Sequence, residues 1–413
     1  MQQLSIVPGL AALSGYHARW LPKDLVAGLV LTTLLVPQGM AYAELAGLPP
    51  ITGLYTSILC LLGYAVFGPS RILVLGPDSS LGPMIAATIL PLVAAGGDPA
   101  RAVALASALA LLTGAIATVV GVCRLGFVAD LISKPTMIGY MNGLAVTILV
   151  GQLPKLCGFS VDADTFLGEL SGFVRGVAAG EGIPASMAIG IGGAVLIFGL
   201  RHLAPRVPAI LTVVVVSTVL AGVFEVSRRG VSLVGVLPKG FPPLTVPHVS
   251  ASDVWLLLGG AFGIALVSLA DTISTATAFA ARGGQIVNGS REMVGIGAAN
   301  LAAGLFQGFP VSTSGSRTAV AEQSGAKTQV TGLVGAGAIT LMLLLFPGLL
   351  RNLPQPTLAA VVIAASVSLA DVPGTVRLYR VRRTELMLSL AAFLGVVGLG
   401  VLAGIVVAVA LSI

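Results

Sequence analysis

Charge is what this sequence has least of. Only 9% of its 413 residues are Asp, Glu, Lys or Arg, while 56% are hydrophobic and the mean hydropathy is +1.01. An ordinary soluble domain carries roughly 25% charged residues. A surface this poor in charge is not compatible with water, which excludes a soluble globular protein and requires lipid over most of the exterior. Cysteine is nearly missing as well. Cys60, Cys123 and Cys157 carry no metal-ligand spacing, and Cys60 and Cys123 lie in or beside apolar runs, so no disulfide framework is expected. The three histidines, His17, His202 and His248, fall at predicted span ends or loops. No Walker sequence, dinucleotide fingerprint or hydrolase elbow occurs. These absences leave no constellation for an enzyme, a metal or a cofactor.

What is present is a series of charge-poor stretches: 24–43, 51–67, 102–122, 136–153, 185–200, 207–224, 254–281, 328–350, 355–370 and 385–413. A span needs about 20 apolar residues, fewer where helices are broken, and 385–413 is long enough for a hairpin of two, so about 12 to 14 spans are expected. No stretch is left for a sizeable soluble domain. His17, Arg19 and Lys23 make the first 23 residues too mixed for a cleavable signal. With fourteen spans and both termini inside, Arg19, Lys23, Arg71, Arg124, Lys134, Arg201, Arg206, Arg282, Arg291, Lys327, Arg377, Arg380, Arg382 and Arg383 fall on the cytoplasmic side. Arg101, Lys155, Arg175, Arg228, Arg229, Lys239 and Arg351 then fall outside. That bias is the positive-inside rule, so the net charge of +6 calls for a lipid bilayer and no nucleic acid.

Glycine (53) and proline (24) are abundant, many of them inside apolar runs. Most read as packing residues, but two segments read as broken helices, which membrane depth tolerates only when buried or lining a cavity. In 71–91, residues 72–75 are extended, Gly76-Pro77 breaks the chain, Asp78, Ser79 and Ser80 can cap, and Pro83 suits a first helical turn. In 305–326, Pro310-Val311 is extended, Ser312 to Ser316 can cap, and a short helix runs to Gly325. One grammar in corresponding positions of two halves points to a binding site built from discontinuous helices. The polar stretches 154–184 and 227–253 read as outside connectors, the first with Asp162, Asp164, Glu169, Arg175 and Glu181 and room for a surface amphipathic helix. Residues 371–383 read as a basic interfacial segment.

Arg317 stands at the start of the second half-helix, after a serine-rich lead-in. Helix N-termini offer unpaired N–H groups and a partial positive charge, so two facing termini plus a guanidinium would hold an anion. The bland alternative is an ion pair between packed helices. Asp271, alone in mid-span, must be protonated or paired, as a proton carrier or as the partner of Arg317. Asp78 is either an N-cap or a second titratable carboxylate. Gln38 and Tyr42, four apart beside Pro37, share a helix face and can present hydrogen-bonding groups to a ligand, although Gln38 can equally satisfy a carbonyl freed by the kink. Glu44 reads as interfacial.

Pro37-Gln38-Gly39-Met40-Ala41-Tyr42-Ala43, Ala46-Gly47-Leu48-Pro49-Pro50, Gly53-Leu54-Tyr55 and Phe67-Gly68-Pro69-Ser70-Arg71 with Gly76-Pro77 resemble the signature of the sulfate permease (SulP) family. So do Asn300-Leu301, Phe309-Pro310, Ser314 to Val320, Gly325-Ala326-Lys327-Thr328, and Leu353-Pro354 with Leu358 to Ala360. The resemblance runs from about residue 20 to the end. It implies an all-α polytopic membrane protein of fourteen segments in two inverted seven-segment repeats (about 23–226 and 252–413, after a cytoplasmic segment 1–22). It also implies core and gate domains, short strands and half-helices in segments 3 and 10, and a homodimer. By motif, Gln38 and Tyr42 belong to segment 1, Asp78, Ser79 and Ser80 to segment 3, Asp271 to segment 8, and Gly315, Ser316 and Arg317 to segment 10, as binding or coupling residues. Asp78 stands where the family more often has an uncharged residue, which favours proton coupling. A cytoplasmic STAS domain normally follows in the family; the chain stops at Ile413, so none is expected here.

The function so implied is secondary transport of a small anion, sulfate or a dicarboxylate such as fumarate, across a bacterial cytoplasmic (inner) membrane by H+ symport. With no nucleotide site, an ion gradient is the expected energy source. The alternatives are Na+-coupled bicarbonate transport, an uncoupled anion channel and a nucleobase carrier, the last disfavoured by the fixed charge of Arg317.

Overall fold

A computed structural model describes residues 8–9, 15–93, 97–126, 132–161, 163, 165–282 and 287–412. Asp162 and Asp164 lie outside the described residues. In chain order the elements are α1 (Leu21–Leu45), α2 (Pro50–Phe67), β1 (Leu75–Gly76), α3 (Gly82–Ile89), α4 (Pro99–Val122), α5 (Lys134–Cys157), α6 (Phe166–Ala178), α7 (Pro184–Leu203) and α8 (Ala209–Val223). There follow α9 (Ala251–Arg282), α10 (Gly289–Leu305), β2 (Ser312–Thr313), α11 (Gly315–Gln323), α12 (Val330–Leu345), α13 (Gln355–Leu369), α14 (Val372–Val381), α15 (Arg383–Leu399) and α16 (Val401–Ala410).

The chain is mostly helical and multi-pass. Among the described residues seven helical runs are long and apolar enough to cross a membrane, and shorter apolar helices include α8, α12 and α16. The stretch 385–413 is divided at Gly400, whose φ of +92° a side chain would strain. The polar stretch 154–184 holds the expected surface helix as α6. In 227–253 regular structure is limited to the end of a short 3-10 turn, Val226–Arg229, and the start of α9.

The chain divides into two compact units. One comprises Met1–Asp130 with Gly240–Leu345, the other Leu131–Lys239 with Phe346–Ile413. In the first unit α10 packs along α4 and α2, and α12 along α1 and α2. With lipid outside, close packing rather than the hydrophobic effect must hold helices together, and small residues allow it. At the crossing of α1 and α2 a Cβ on Gly53 would overlap the Gly39 carbonyl oxygen. At the crossing of α4 and α10 a Cβ on Gly114 would come within 2.8 Å of the Gly297 carbonyl. The N-terminus of α12 is held by Asp24, fully buried on α1, which accepts hydrogen bonds from Lys327 N (2.6 Å), Thr328 N (3.1 Å), Thr328 Oγ1 (2.8 Å) and Thr331 Oγ1 (3.1 Å).

In the second unit α5 packs against α13 and α15, and α7 lies against α8 and α13. Many large apolar side chains are exposed, including Val215, Val216, Val219 and Leu220 on α8, as a lipid-facing surface requires.

Overfilling the α1–α2 crossing is expected to cost about 1–3 kcal/mol or more. Gly53→Val should therefore lower the thermal unfolding midpoint in detergent by several degrees or abolish the monodisperse species. Gly337→Ala, at a position with open space around it, should leave both unchanged.

Candidate functional site

The first unit contains both broken segments, and they meet. β1 and β2 pair antiparallel, Leu75 opposite Thr313 and Gly76 opposite Ser312. The pairing continues through Ser314 N to Val74 O (3.0 Å), and Val74 N donates to Thr318 Oγ1 (3.1 Å). The sequence places the extended runs at 72–75 and 310–311; the paired residues are 75–76 and 312–313, because register is set by the partner strand, and Ser312 and Thr313 are strand rather than cap residues.

Backbone this irregular needs partners for every polar group. Side chains from distant helices supply them. Asn300 on α10 accepts from Val311 N (2.9 Å) and donates to Val311 O (3.3 Å); Ser268 on α9 also donates to Val311 O (2.9 Å). Thr56 on α2 accepts from Phe309 N (3.1 Å), and Ser107 on α4 donates to Gly308 O (3.1 Å). Gln329 donates to Ser70 O (2.9 Å) and Leu73 O (3.0 Å), fixing the approach to β1. Glu292, buried on α10, accepts from Tyr64 Oη (2.6 Å) and from Ser70 Oγ. Apart from Asn300, which the family motif includes, the sequence reading assigned none of these a part in the site. Their one visible signal is that they are polar residues inside apolar runs.

Each strand runs into a half-helix. At α11 the Ser314 side chain accepts from Arg317 N (3.4 Å) and lies 3.1 Å from Ser316 Oγ. Gly315 and Ser316 are exposed although the residues on either side of them are buried, so the first turn opens onto free space; the nearest atom to a Cβ on Gly315 would be Thr275 Oγ1 at 4.0 Å. At α3 the sequence makes Asp78, Ser79 and Ser80 candidate caps. The residue preceding the helix is instead Leu81, without a side-chain cap. Asp78 organises the turn before it: Oδ1 accepts from Ser80 N (2.9 Å) and Ser80 Oγ (2.8 Å), and its carbonyl accepts from Leu81 N (3.3 Å) and Gly82 N (3.2 Å). Ser79 and Ser80 are both buried.

Arg317, the third residue of α11, is the largest fully buried side chain among the described residues, at 1% exposure. Its guanidinium lies over Gly76, where a Cβ would come within 2.9 Å of Nη1. Asp78 Oδ2 is 3.7 Å from Nη2, close enough for electrostatic attraction and too far for a hydrogen bond. Nε, Nη1 and Nη2 have no hydrogen-bond partner among the described residues, and neither do the neighbouring Ser312 Oγ and Thr313 Oγ1. A buried guanidinium with all its donors unused is costly, and it is the strongest mark of a missing acceptor.

Asp271 is half-buried on α9, set against the Ser80 side chain and in the field of Asp78. The sequence offered Asp271 as the carboxylate partner of Arg317; the carboxylate that the structure sets against the guanidinium is instead Asp78. Gln38 and Tyr42 are buried on α1, which packs against both α3 and α11. The nine residues singled out from the sequence thus lie on the half-helices, their lead-ins, and two helices, α1 and α9, that touch them. Chemically the site offers one fixed cation, two half-helix N-termini and two carboxylates.

The sequence model of the Sulfate permease family matches residues 21–392. A probable sulfate transporter of Mycobacterium tuberculosis is 42% identical over 406 residues, which cover 98% of this chain and 72% of that protein. Probable sulfate transporter 3.3 of Arabidopsis thaliana is 32% identical over 420 residues, 99% of this chain and 66% of that one. Among solved structures, that of SLC26A9 superposes with a TM-score of 0.91 at 25% identity, covering 98% of this chain and 67% of that chain.

If the unpaired guanidinium is the anion site, its fork geometry matters as well as its charge. Arg317→Lys should weaken equilibrium binding of labelled sulfate to the purified protein by tenfold or more, and Arg317→Gln should bring it below detection, with unfolding temperatures reported for both.

Proposed function

Because this chain belongs to the sulfate permease family and is an anion transporter rather than an enzyme, we propose that it is a secondary active symporter that carries sulfate, or a dicarboxylate such as fumarate, together with protons. The observation that carries this reading is the charge balance of the site. One buried cation, Arg317, faces Asp78, and Asp78 in turn lies in the field of Asp271. Adding a dianion to two ionised carboxylates and one guanidinium would leave a strongly negative cluster at low dielectric. Protonating one or both carboxylates removes that repulsion and frees Arg317 for the substrate.

In this mechanism the anion accepts hydrogen bonds from the Arg317 guanidinium and from the amides at the start of α11, with the N-terminus of α3 contributing its dipole. Asp78, already oriented by Ser80, yields its place beside Arg317 once protonated. Asp271 exchanges its proton with the Ser80–Asp78 side of the site. Gln38 and Tyr42, on the helix that touches both half-helices, shape the cavity and add polar contacts. Alternating access of this loaded site to the two sides of the membrane completes transport. The reading includes fourteen segments in two inverted repeats, a homodimer, and placement in a bacterial cytoplasmic membrane. The mycobacterial relative and the recurrence of strand and half-helix in both halves support it.

The sign of the pH effect follows directly. Lower pH neutralises the competing carboxylates, so anion uptake should rise as the donor side is acidified. In proteoliposomes without sodium, an inward proton gradient should drive accumulation of labelled sulfate, with fumarate and bicarbonate tested as competitors. Asp271→Asn should abolish the dependence on the gradient. Uptake that ignores the proton gradient and appears only when sodium is added would replace proton coupling by cation coupling at Asp271.

A further inference from the structure

The helix α14 is not part of the site, and its surface has an unusual arrangement. It is ten residues long, about 15 Å. Two residues separate it from α13 and one from α15. Both neighbours are apolar helices, and the basic character of 371–383 is what a helix at the boundary between lipid and water would carry. One face is committed to protein. Leu378 is buried, Thr375 Oγ1 accepts from Asn142 Nδ2 of α5 (2.8 Å), and Asp371 N donates to Asn142 Oδ1 (2.7 Å). Asp371 is used a second time, as N-cap to Gly374 N (2.8 Å).

An adjacent face, about 100° round the helix, carries Val372, Val376 and Tyr379 at spacings of four and three, one stripe of an α-helix. They are 61%, 42% and 63% exposed. Arg377 and Arg380, three apart and therefore neighbours, lie together along the side of that stripe turned away from the protein contacts, and Arg383 follows at the start of α15; all three are exposed. Arg382 is paired with Glu385 at 2.8 Å, whereas Arg377, Arg380 and Arg383 have no acceptor among the described residues. An apolar stripe flanked by unpaired guanidinium groups at a membrane surface is complementary to a lipid with an acyl chain below and an anionic headgroup above.

We propose that α14 is a binding surface for anionic phospholipid, with Val372, Val376 and Tyr379 set among acyl chains and Arg377 and Arg380 holding phosphate headgroups. The cytoplasmic leaflet is the source, since basic residues on the inner side meet its negative surface, and each arginine near such a surface contributes a factor of about five in preference. A protein segment packed on this face is the competing occupant.

The test uses the whole chain carrying Tyr379→Trp, with the two native tryptophans replaced (Trp20→Phe and Trp255→Phe) so that one indole reports. It is reconstituted in phosphatidylcholine vesicles containing an equal mole fraction of bromine-labelled phosphatidylglycerol or bromine-labelled phosphatidylcholine. Quenching by the anionic lipid should be several-fold stronger, and the difference should vanish when Arg377→Gln and Arg380→Gln are combined. Val372→Trp in the same background provides a second reporter should the first destabilise the fold. Equal quenching by both lipids would overturn the proposal by showing a face indifferent to charge. Absence of quenching by either would overturn it by showing the face covered by protein. A preference that survives loss of both arginines would remove their assigned part.

Discussion

A guanidinium buried without a hydrogen-bond acceptor is the constraint around which the first unit is organised. Arg317 is removed from solvent, touches Asp78 only at 3.7 Å, and leaves three donor nitrogens unused. Removing one partner of a buried charge ordinarily costs several kcal/mol, so such a residue persists only where surrounding structure holds it in place, and under the proposed function the anion repays the deficit. Gly76 is beneath the guanidinium, and a Cβ there, 2.9 Å from Nη1, would displace it. The antiparallel pairing of β1 with β2 fixes Gly76 opposite Ser312, and so fixes the cation relative to both half-helices.

That pairing in turn depends on polar side chains inserted from four helices. Asn300, Ser268, Thr56 and Ser107 satisfy the backbone from Gly308 to Val311, while Gln329 and Glu292 hold the residues leading to β1. Each is a hydrogen bond of ordinary strength. Together they let an extended chain exist at membrane depth, where an unsatisfied peptide group costs several kcal/mol. The carboxylates then set how the cation is used. A full charge at 3.7 Å is worth about 4 kcal/mol at an effective dielectric of about 20, so Asp78 is the strongest electrostatic partner that the structure gives Arg317.

Local chemistry made the interruptions legible in the sequence. Gly76-Pro77, Pro83 and the serine run before Arg317 each break or start a helix by their own backbone preferences, and a half-helix follows each break, although the strands lie at 75–76 and 312–313 rather than at 72–75 and 310–311. Low charge and long apolar runs likewise announced a multi-pass protein. What was not legible depends on tertiary partners. Nothing near Asp78 says that its carboxylate turns back onto Ser80 and out to Arg317 instead of capping α3. Nor does the surrounding run show that Ser268, Thr56 or Gln329 reaches a particular peptide group. The glycines of the α1–α2 and α4–α10 crossings are two among 53, distinguishable only once the helices they bring together are known.

The central claim is that the unused donors of Arg317 are the place where the transported anion binds. Selenate, a close mimic of sulfate with a heavy scatterer, locates that place directly. The account predicts an anomalous selenium peak within hydrogen-bond reach of the Arg317 guanidinium and the first amides of α11, with Asp78 turned away from the guanidinium. A peak elsewhere in the protein, with Arg317 still facing Asp78, would contradict it.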